Sequence, residues 1–205
     1  MNRLPVIVAT LCLAAAALIA GATWWVTRNG PSGAAGSAQV ISSGKALVGG
    51  PFQLVDQTGR AVDESILKGK WTVVFFGFTF CPDVCPTTLT AMEAVKKDLG
   101  ARGADLQVVF ITVDPERDTP AALKAYLDSV GPEGTIGLTG TPEQVTAAAK
   151  AYRVYFRKSG EGDDYTMDHS TAAYLMDPKG EFAAVLPYGL APADKAKVIR
   201  DAMKQ

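Results

Sequence analysis

The chain has 205 residues, enough for one domain and a modest additional segment. Its 20 basic and 21 acidic residues leave a formal net charge of −1, which excludes a strongly basic nucleic-acid binder and an acidic disordered tail. Three cysteines and a single histidine exclude a disulfide-dense scaffold, a zinc-finger array and a His-rich metal site, so any metal or redox chemistry uses very few soft ligands.

Leu4 to Thr27 contains no charged residue, with Arg3 before it and Arg28 after it. The 23 residues Leu4–Val26 are long enough to cross about 30 Å of hydrocarbon as a helix. Pro5 falls in the first turn, and Trp24 and Trp25 occupy the far end, where interfacial aromatics are favoured. A cleaved signal peptide, with Ala20-Gly21-Ala22 as its processing site, is the competing reading. The run exceeds the usual 7–15-residue apolar core of such peptides, which favours an uncleaved anchor over residues 4–27. The expected topology is single-pass, in a bacterial inner (cytoplasmic) membrane, with the C-terminal domain facing the periplasm. Cys12 lies within the run and reads as a small apolar residue. Residues 28–50, rich in Gly, Ser and Ala, read as a flexible linker. With Arg3 set aside, the chain from Arg28 onward carries 19 basic and 21 acidic groups, a net charge near −2 that gives no attraction to anionic lipid.

The exterior domain, residues 51–205, opens with a short hairpin over 51–62 that turns at Gln57-Thr58-Gly59. Residues 71–76 form a continuous apolar run rich in β-branched and aromatic side chains, the mark of a buried central strand. Pro86 to Leu99 has helical spacing, with Leu89, Met92, Val95 and Leu99 on one face. A second buried strand spans 106–113. Thr119-Pro120 is an N-cap followed by proline at the first helical position, opening a helix through Leu127. Thr141-Pro142-Glu143-Gln144 repeats that start with a capping-box glutamine, and its helix runs to about Tyr152. A short strand is expected over 154–157. A hairpin of 172–176 and 182–186 turns at Asp177-Pro178-Lys179-Gly180, and a closing helix covers 191–203. The fold class is therefore α/β, a mixed sheet with helices on both faces. A domain of about 160 residues buries a full core without a stabilising disulfide.

Between the first buried strand and its helix stands Gly77-Phe78-Thr79-Phe80-Cys81-Pro82-Asp83-Val84-Cys85-Pro86. A helix N-terminus favours the thiolate, which is both the nucleophile and the metal ligand. If 81–85 is helical, the two Cβ atoms lie about 5–6 Å apart. A disulfide wants about 3.5–4.5 Å and needs a small local adjustment, whereas a bridging metal takes the wider gap directly. A purely stabilising bridge is poorly placed, because so short a loop gains little from cross-linking. Thioredoxin-like redox chemistry normally uses C-x-x-C at this junction, and here one residue is inserted. No proline lies between Pro142 and Pro178, where such oxidoreductases carry one facing the cysteines, and the threonine of the peroxide-reducing relatives is out of place at Thr79.

The one histidine is His169, in Thr166-Met167-Asp168-His169-Ser170 ahead of the final hairpin. A lone histidine is usually a surface or satisfied core residue. In a thioredoxin-like layout, however, this loop faces the start of the first long helix. Two thiolates and one imidazole form a soft, low-coordinate set suited to Cu(I). Structural zinc usually takes four protein ligands and would need a carboxylate or water here. Asp168 or Tyr165 would orient the ring from behind.

Taken together, the cysteine segment, Val113-Asp114-Pro115-Glu116-Arg117-Asp118-Thr119-Pro120, and Asp168-His169-Ser170 followed by Tyr174-Leu175-Met176-Asp177-Pro178 resemble the Sco/SenC family of copper-binding cytochrome c oxidase assembly proteins. The resemblance covers about Lys45 to Met203, and nothing departs from it at the metal positions. It implies a thioredoxin-like, peroxiredoxin-related fold with copper, Cu(I) and also Cu(II), held by Cys81, Cys85 and His169. It implies cytochrome c oxidase subunit II and a copper donor protein as partners, in building the binuclear copper centre, and a redox disulfide between Cys81 and Cys85. The expected activity is that of a metallochaperone without catalytic turnover. A thiol–disulfide oxidoreductase reducing the oxidase copper-site cysteines, and a copper or redox sensor, are the alternatives. Asp114 to Asp118 reads equally as turn chemistry and as a surface beside the metal or a partner.

Overall fold

The computed structural model describes residues 47–162 and 164–204. The expected anchor and nearly all of the linker lie outside the described residues. Among those described, no helix is long and apolar enough to cross a membrane.

Among the described residues, nine strands and four α-helices follow in order: β1 (Gln53–Asp56), β2 (Ala61–Asp63), β3 (Trp71–Gly77), α1 (Val84–Asp98), β4 (Leu106–Thr112), α2 (Pro120–Val130), β5 (Ile136–Thr139), α3 (Pro142–Ala151), β6 (Phe156–Ser159), β7 (Thr166–His169), β8 (Ala173–Met176), β9 (Phe182–Leu186) and α4 (Pro192–Ala202). Seven strands make one sheet in the order β2-β1-β5-β4-β3-β8-β9, and β6 and β7 pair only with each other in a separate ribbon. β3, β4 and β5 run parallel and the outer pairings are antiparallel.

The continuous apolar runs of β3 and β4 are explained by cover on both faces. Val74, Phe76, Val109 and Ile111 point to one core, closed by Val145, Ala148 and Tyr152 of the α3 region and by Tyr165 and Met167 of the ribbon. Val73, Phe75, Val108 and Phe110 point to the other, closed by α1, α2 and α4 through Leu89, Met92, Leu123 and Ile199. The period-two alternation inside each run sorts these side chains onto the two faces.

The caps of α2 and α3 form as their sequences predict. Thr119 accepts from the Ala122 amide, and Thr141 and Gln144 close a full capping box. α1 is different, because Asp83 at its start makes no side-chain capping bond. A cap contributes about 1 kcal/mol, whereas Leu89, Met92 and Val95 are fully buried, at about 1.5–3 kcal/mol each, so burial holds this helix.

Four expectations need correction. α1 begins at Val84 rather than Pro86, which places Cys85 inside the helix and leaves Cys81 before it. The strand expected over 154–157 is displaced to Phe156–Ser159. Thr166–His169, expected as a loop, is the strand that pairs with it in register Phe156↔His169. Ile136–Thr139, unassigned from sequence, is a central strand between β4 and β1. Its four residues include Gly137, whose bare Cα lets Leu127 of α2 close on the sheet.

Candidate metal centre

The β3 strand ends at Gly77, where the Val113 amide donates to the Gly77 carbonyl at 2.8 Å and ties it to the chain leaving β4. A methyl group on Gly77 would lie 2.5 Å from Cys85 Sγ and 2.8 Å from the Phe110 ring, so the buried sulfur packs against a position only glycine can occupy. The following loop is pinned by Asp118. This fully buried carboxylate accepts from the Thr79 amide (3.0 Å), the Thr79 hydroxyl (2.5 Å) and the Thr112 hydroxyl (2.6 Å). Burial pushes its pKa up, and the Thr112 and Thr79 hydrogen bonds oppose the shift.

Cys81 sits in a turn, its amide donating to the Phe78 carbonyl at 3.2 Å. Its sulfur faces the first turn of α1 and accepts from the Cys85 amide at 3.4 Å, which does for this helix what Asp83 does not. Both residues are free thiols, Cys81 partly exposed and Cys85 buried. Their acidities are driven apart. The bond from the Cys85 side chain holds the Cys81 thiol far below its ordinary range, burial opposes, and His169 and the Asp83 and Cys85 amides add to the lowering. The same bond, burial and the adjacent Cys81 charge push Cys85 up. The two thiols titrate as a coupled pair in which ionisation is favoured at Cys81 and disfavoured at Cys85.

His169 ends β7. Its Nδ1 lies 2.9 Å from the Ser170 carbonyl oxygen. A carbonyl can only accept, so this bond is one that Nδ1–H donates, and it turns Nε2 toward the sulfurs. Nε2 is 3.9 Å from Cys85 Sγ, and the ring stands perpendicular to Phe78 with centroids 5.8 Å apart. The two sulfurs and one imidazole nitrogen all lie within 4.8 Å of one another.

All three sequence-predicted ligands therefore converge. The residues expected to orient the ring do not: Asp168 pairs with Arg157 at 2.9 Å on the surface, and the Tyr165 hydroxyl donates to Asp114 at 2.6 Å. The orienting group is a main-chain carbonyl, invisible in side-chain identity. Asp114 and Asp118 are both buried, which removes them from any surface role. With Asp118 held by three donors, no fourth Cys, His or carboxylate joins the cluster among the described residues. Three soft donors suit a low-coordinate soft ion better than tetrahedral zinc.

A thioredoxin-like sheet with two thiols at a helix start and an imidazole facing them defines a class of thiol-redox and soft-metal domains. The chain belongs to the SCO1/SenC family, whose model matches residues 41–204. SenC of Rhodobacter capsulatus is 49% identical over 138 residues, covering 67% of this chain and 62% of that protein. The chain spans 42%, 62% and 50% of the lengths of three curated relatives. Bradyrhizobium japonicum ScoI, solved with copper bound, is 45% identical with a TM-score of 0.68, covering 75% of this chain and 98% of that one. BsSco, a member of the Sco family of cytochrome c oxidase assembly proteins with a disulfide switch, is 28% identical with a TM-score of 0.60, covering 75% and 90%.

Proposed function

We propose that this protein is a copper chaperone that binds copper through Cys81, Cys85 and His169 and helps assemble the binuclear copper centre of cytochrome c oxidase, with subunit II as recipient and a second protein as donor. The observation that carries this reading is the convergence of three soft donor atoms within 4.8 Å, with Nδ1 held by the Ser170 carbonyl and Nε2 turned toward the sulfurs. Copper-bound ScoI and the assembly role of the Sco family support the choice of metal and recipient. Metal ligation needs deprotonated sulfur, so Cu(I) entering the site makes both cysteines thiolates. The anchor over residues 4–27 and the linker over 28–50 tether the domain over 51–205 to a bacterial cytoplasmic membrane on its periplasmic side.

The test is competition between reduced protein and a Cu(I) chelator, parent against His169→Ala. We expect His169→Ala to weaken Cu(I) binding at least about tenfold, since even groups that merely orient a ligand are worth 10–100-fold, while the Cys81–Cys85 disulfide still forms. Equal affinity in the two proteins would remove the third ligand and this function with it.

One observation favours a second reading. Cys81 is partly exposed with its pKa held down by the Cys85 side chain, and Cys85 is buried beside it, the arrangement of an attacking and a resolving cysteine. Cys81 would attack a disulfide in the oxidase copper site, and Cys85 would then displace the partner sulfur from the mixed disulfide. Two electrons pass to the partner and one disulfide forms here. His169→Ala separates the readings, since thiol exchange survives the loss of the imidazole and copper retention does not.

A further inference from the structure

We propose that the segment Asp114–Asp118 is a clamp that sets the distance between the imidazole and the two sulfurs, with Arg117 as the positioning residue. This inference rests on the copper-binding reading above. The two halves of the site are built on separate sheets, and the ribbon β6–β7 that carries His169 shares no strand pairing with the seven-stranded sheet that leads to the cysteines. β8, which starts four residues after His169, pairs with β3 and brings the ribbon's end near the cysteines, and side-chain contacts set the remaining spacing.

Two carboxylates four residues apart reach the two halves. Asp118 holds the cysteine loop through Thr79. Asp114 holds the ribbon through the Tyr165 hydroxyl, one residue before β7 begins. Thr112 joins them, accepting from the Asp114 amide at 2.9 Å and donating to Asp118 at 2.6 Å. Arg117 crosses the gap: Nε donates to Asp114 at 2.6 Å and an Nη donates to the Tyr165 carbonyl at 3.0 Å. Its guanidinium lies 3.6 Å from the Tyr165 ring centre and 4.5 Å from that of Phe80. Phe80 directly precedes the first sulfur ligand, and Tyr165 directly precedes the strand bearing the nitrogen ligand. One planar cation therefore contacts both arms of the site.

A purely stabilising role explains this less well. The Arg117–Asp114 side chains are only 17% and 3% exposed, whereas the exposed ion pair of the ribbon, Arg157–Asp168, is 66% and 47% exposed. Desolvation offsets most of what a buried pair adds to stability, so geometry is the stronger reason for such a pair here.

The experiment measures Cu(I) dissociation constants by chelator competition in the reduced full chain, for Arg117→Lys and Tyr165→Phe, each in the parent and in the His169→Ala background. Arg117→Lys keeps the charge but loses the planar contact. It should weaken Cu(I) about tenfold in the parent, and Tyr165→Phe about threefold. In the His169→Ala background neither should change the constant more than about twofold. Copper X-ray absorption should show a diminished nitrogen contribution in Arg117→Lys, a signature that lower stability alone does not produce. Equal losses in both backgrounds, or no loss in the parent, would overturn the proposal. If Arg117→Lys does not fold, Tyr165→Phe decides by the same criteria. Failure of the parent itself to bind Cu(I) would instead overturn the function beneath it.

Discussion

The sulfur side and the nitrogen side of the centre are built differently. The cysteines sit where the innermost parallel strands meet a helix, with Cys85 1% exposed and packed on Gly77 and Phe110. His169 ends a two-stranded ribbon joined to the rest by Tyr165, Met167 and Arg117. The sulfur side is part of the main sheet and α1, and the nitrogen side reaches the core through Tyr165 and Met167 of a two-stranded ribbon. The contrast is one of support, the sulfur side fixed by strand pairing and helix packing and the nitrogen side by side-chain contacts.

The largest effect should come from the fixed side. Cys85→Ser removes a soft ligand outright and should weaken Cu(I) beyond about a hundredfold, the upper end of what orienting groups contribute. Chelator competition checks it, and a smaller loss than that of His169→Ala would invert the comparison. Gly77→Ala leaves all ligands in place but forces a methyl group against Cys85 Sγ and Phe110. Overpacking of this kind costs about 1–3 kcal/mol of unfolding free energy, and the displaced sulfur should weaken copper as well. Urea unfolding of the apo protein reads the first, and retained stability would mean that this side is softer than its burial suggests.

On the ribbon, Ser170→Ala removes the bond from the Tyr155 amide to the Ser170 hydroxyl but keeps the carbonyl that orients His169. Stability should fall by less than about 1 kcal/mol, with copper affinity almost unchanged.

The smallest change is a proton. Cys81 has a lowered pKa, so it stays ionised as pH falls until that lowered value is reached. Alkylation of the reduced apo protein at Cys81 should therefore hold a nearly constant rate from about pH 8 to 6, where an ordinary thiol loses about tenfold per pH unit. Cys85, buried and with its pKa raised, should stay unmodified across that range. Peptide mapping after timed alkylation separates the two, and a tenfold-per-unit decline at Cys81 would show that the Cys85 side chain and the neighbouring donors do not stabilise the thiolate.

Local chemistry made much of this legible in advance. The proline-led starts of α2 and α3 carry their own caps, and doubly covered strands declare themselves as unbroken apolar runs. Scarcity located the ligands: with Cys12 in the apolar N-terminal run, two cysteines and one histidine remain. Strand β5 escaped notice because four residues including a glycine carry almost no periodic signal, and its place depends on partners from β4 and β1.

The sequence by itself determined the donor set, the helix start that favours one thiolate, and the alternating pattern that sorts β3 and β4 onto two cores. These follow from residue identity and near-neighbour spacing. Only the tertiary structure decided that His169 lies on a separate ribbon, that a main-chain carbonyl orients its ring, and that Asp114 and Asp118 face inward to hold the two arms. Each of those depends on contacts between residues far apart in the chain, such as Thr79 with Asp118 and Tyr165 with Asp114, whose burial no local pattern encodes.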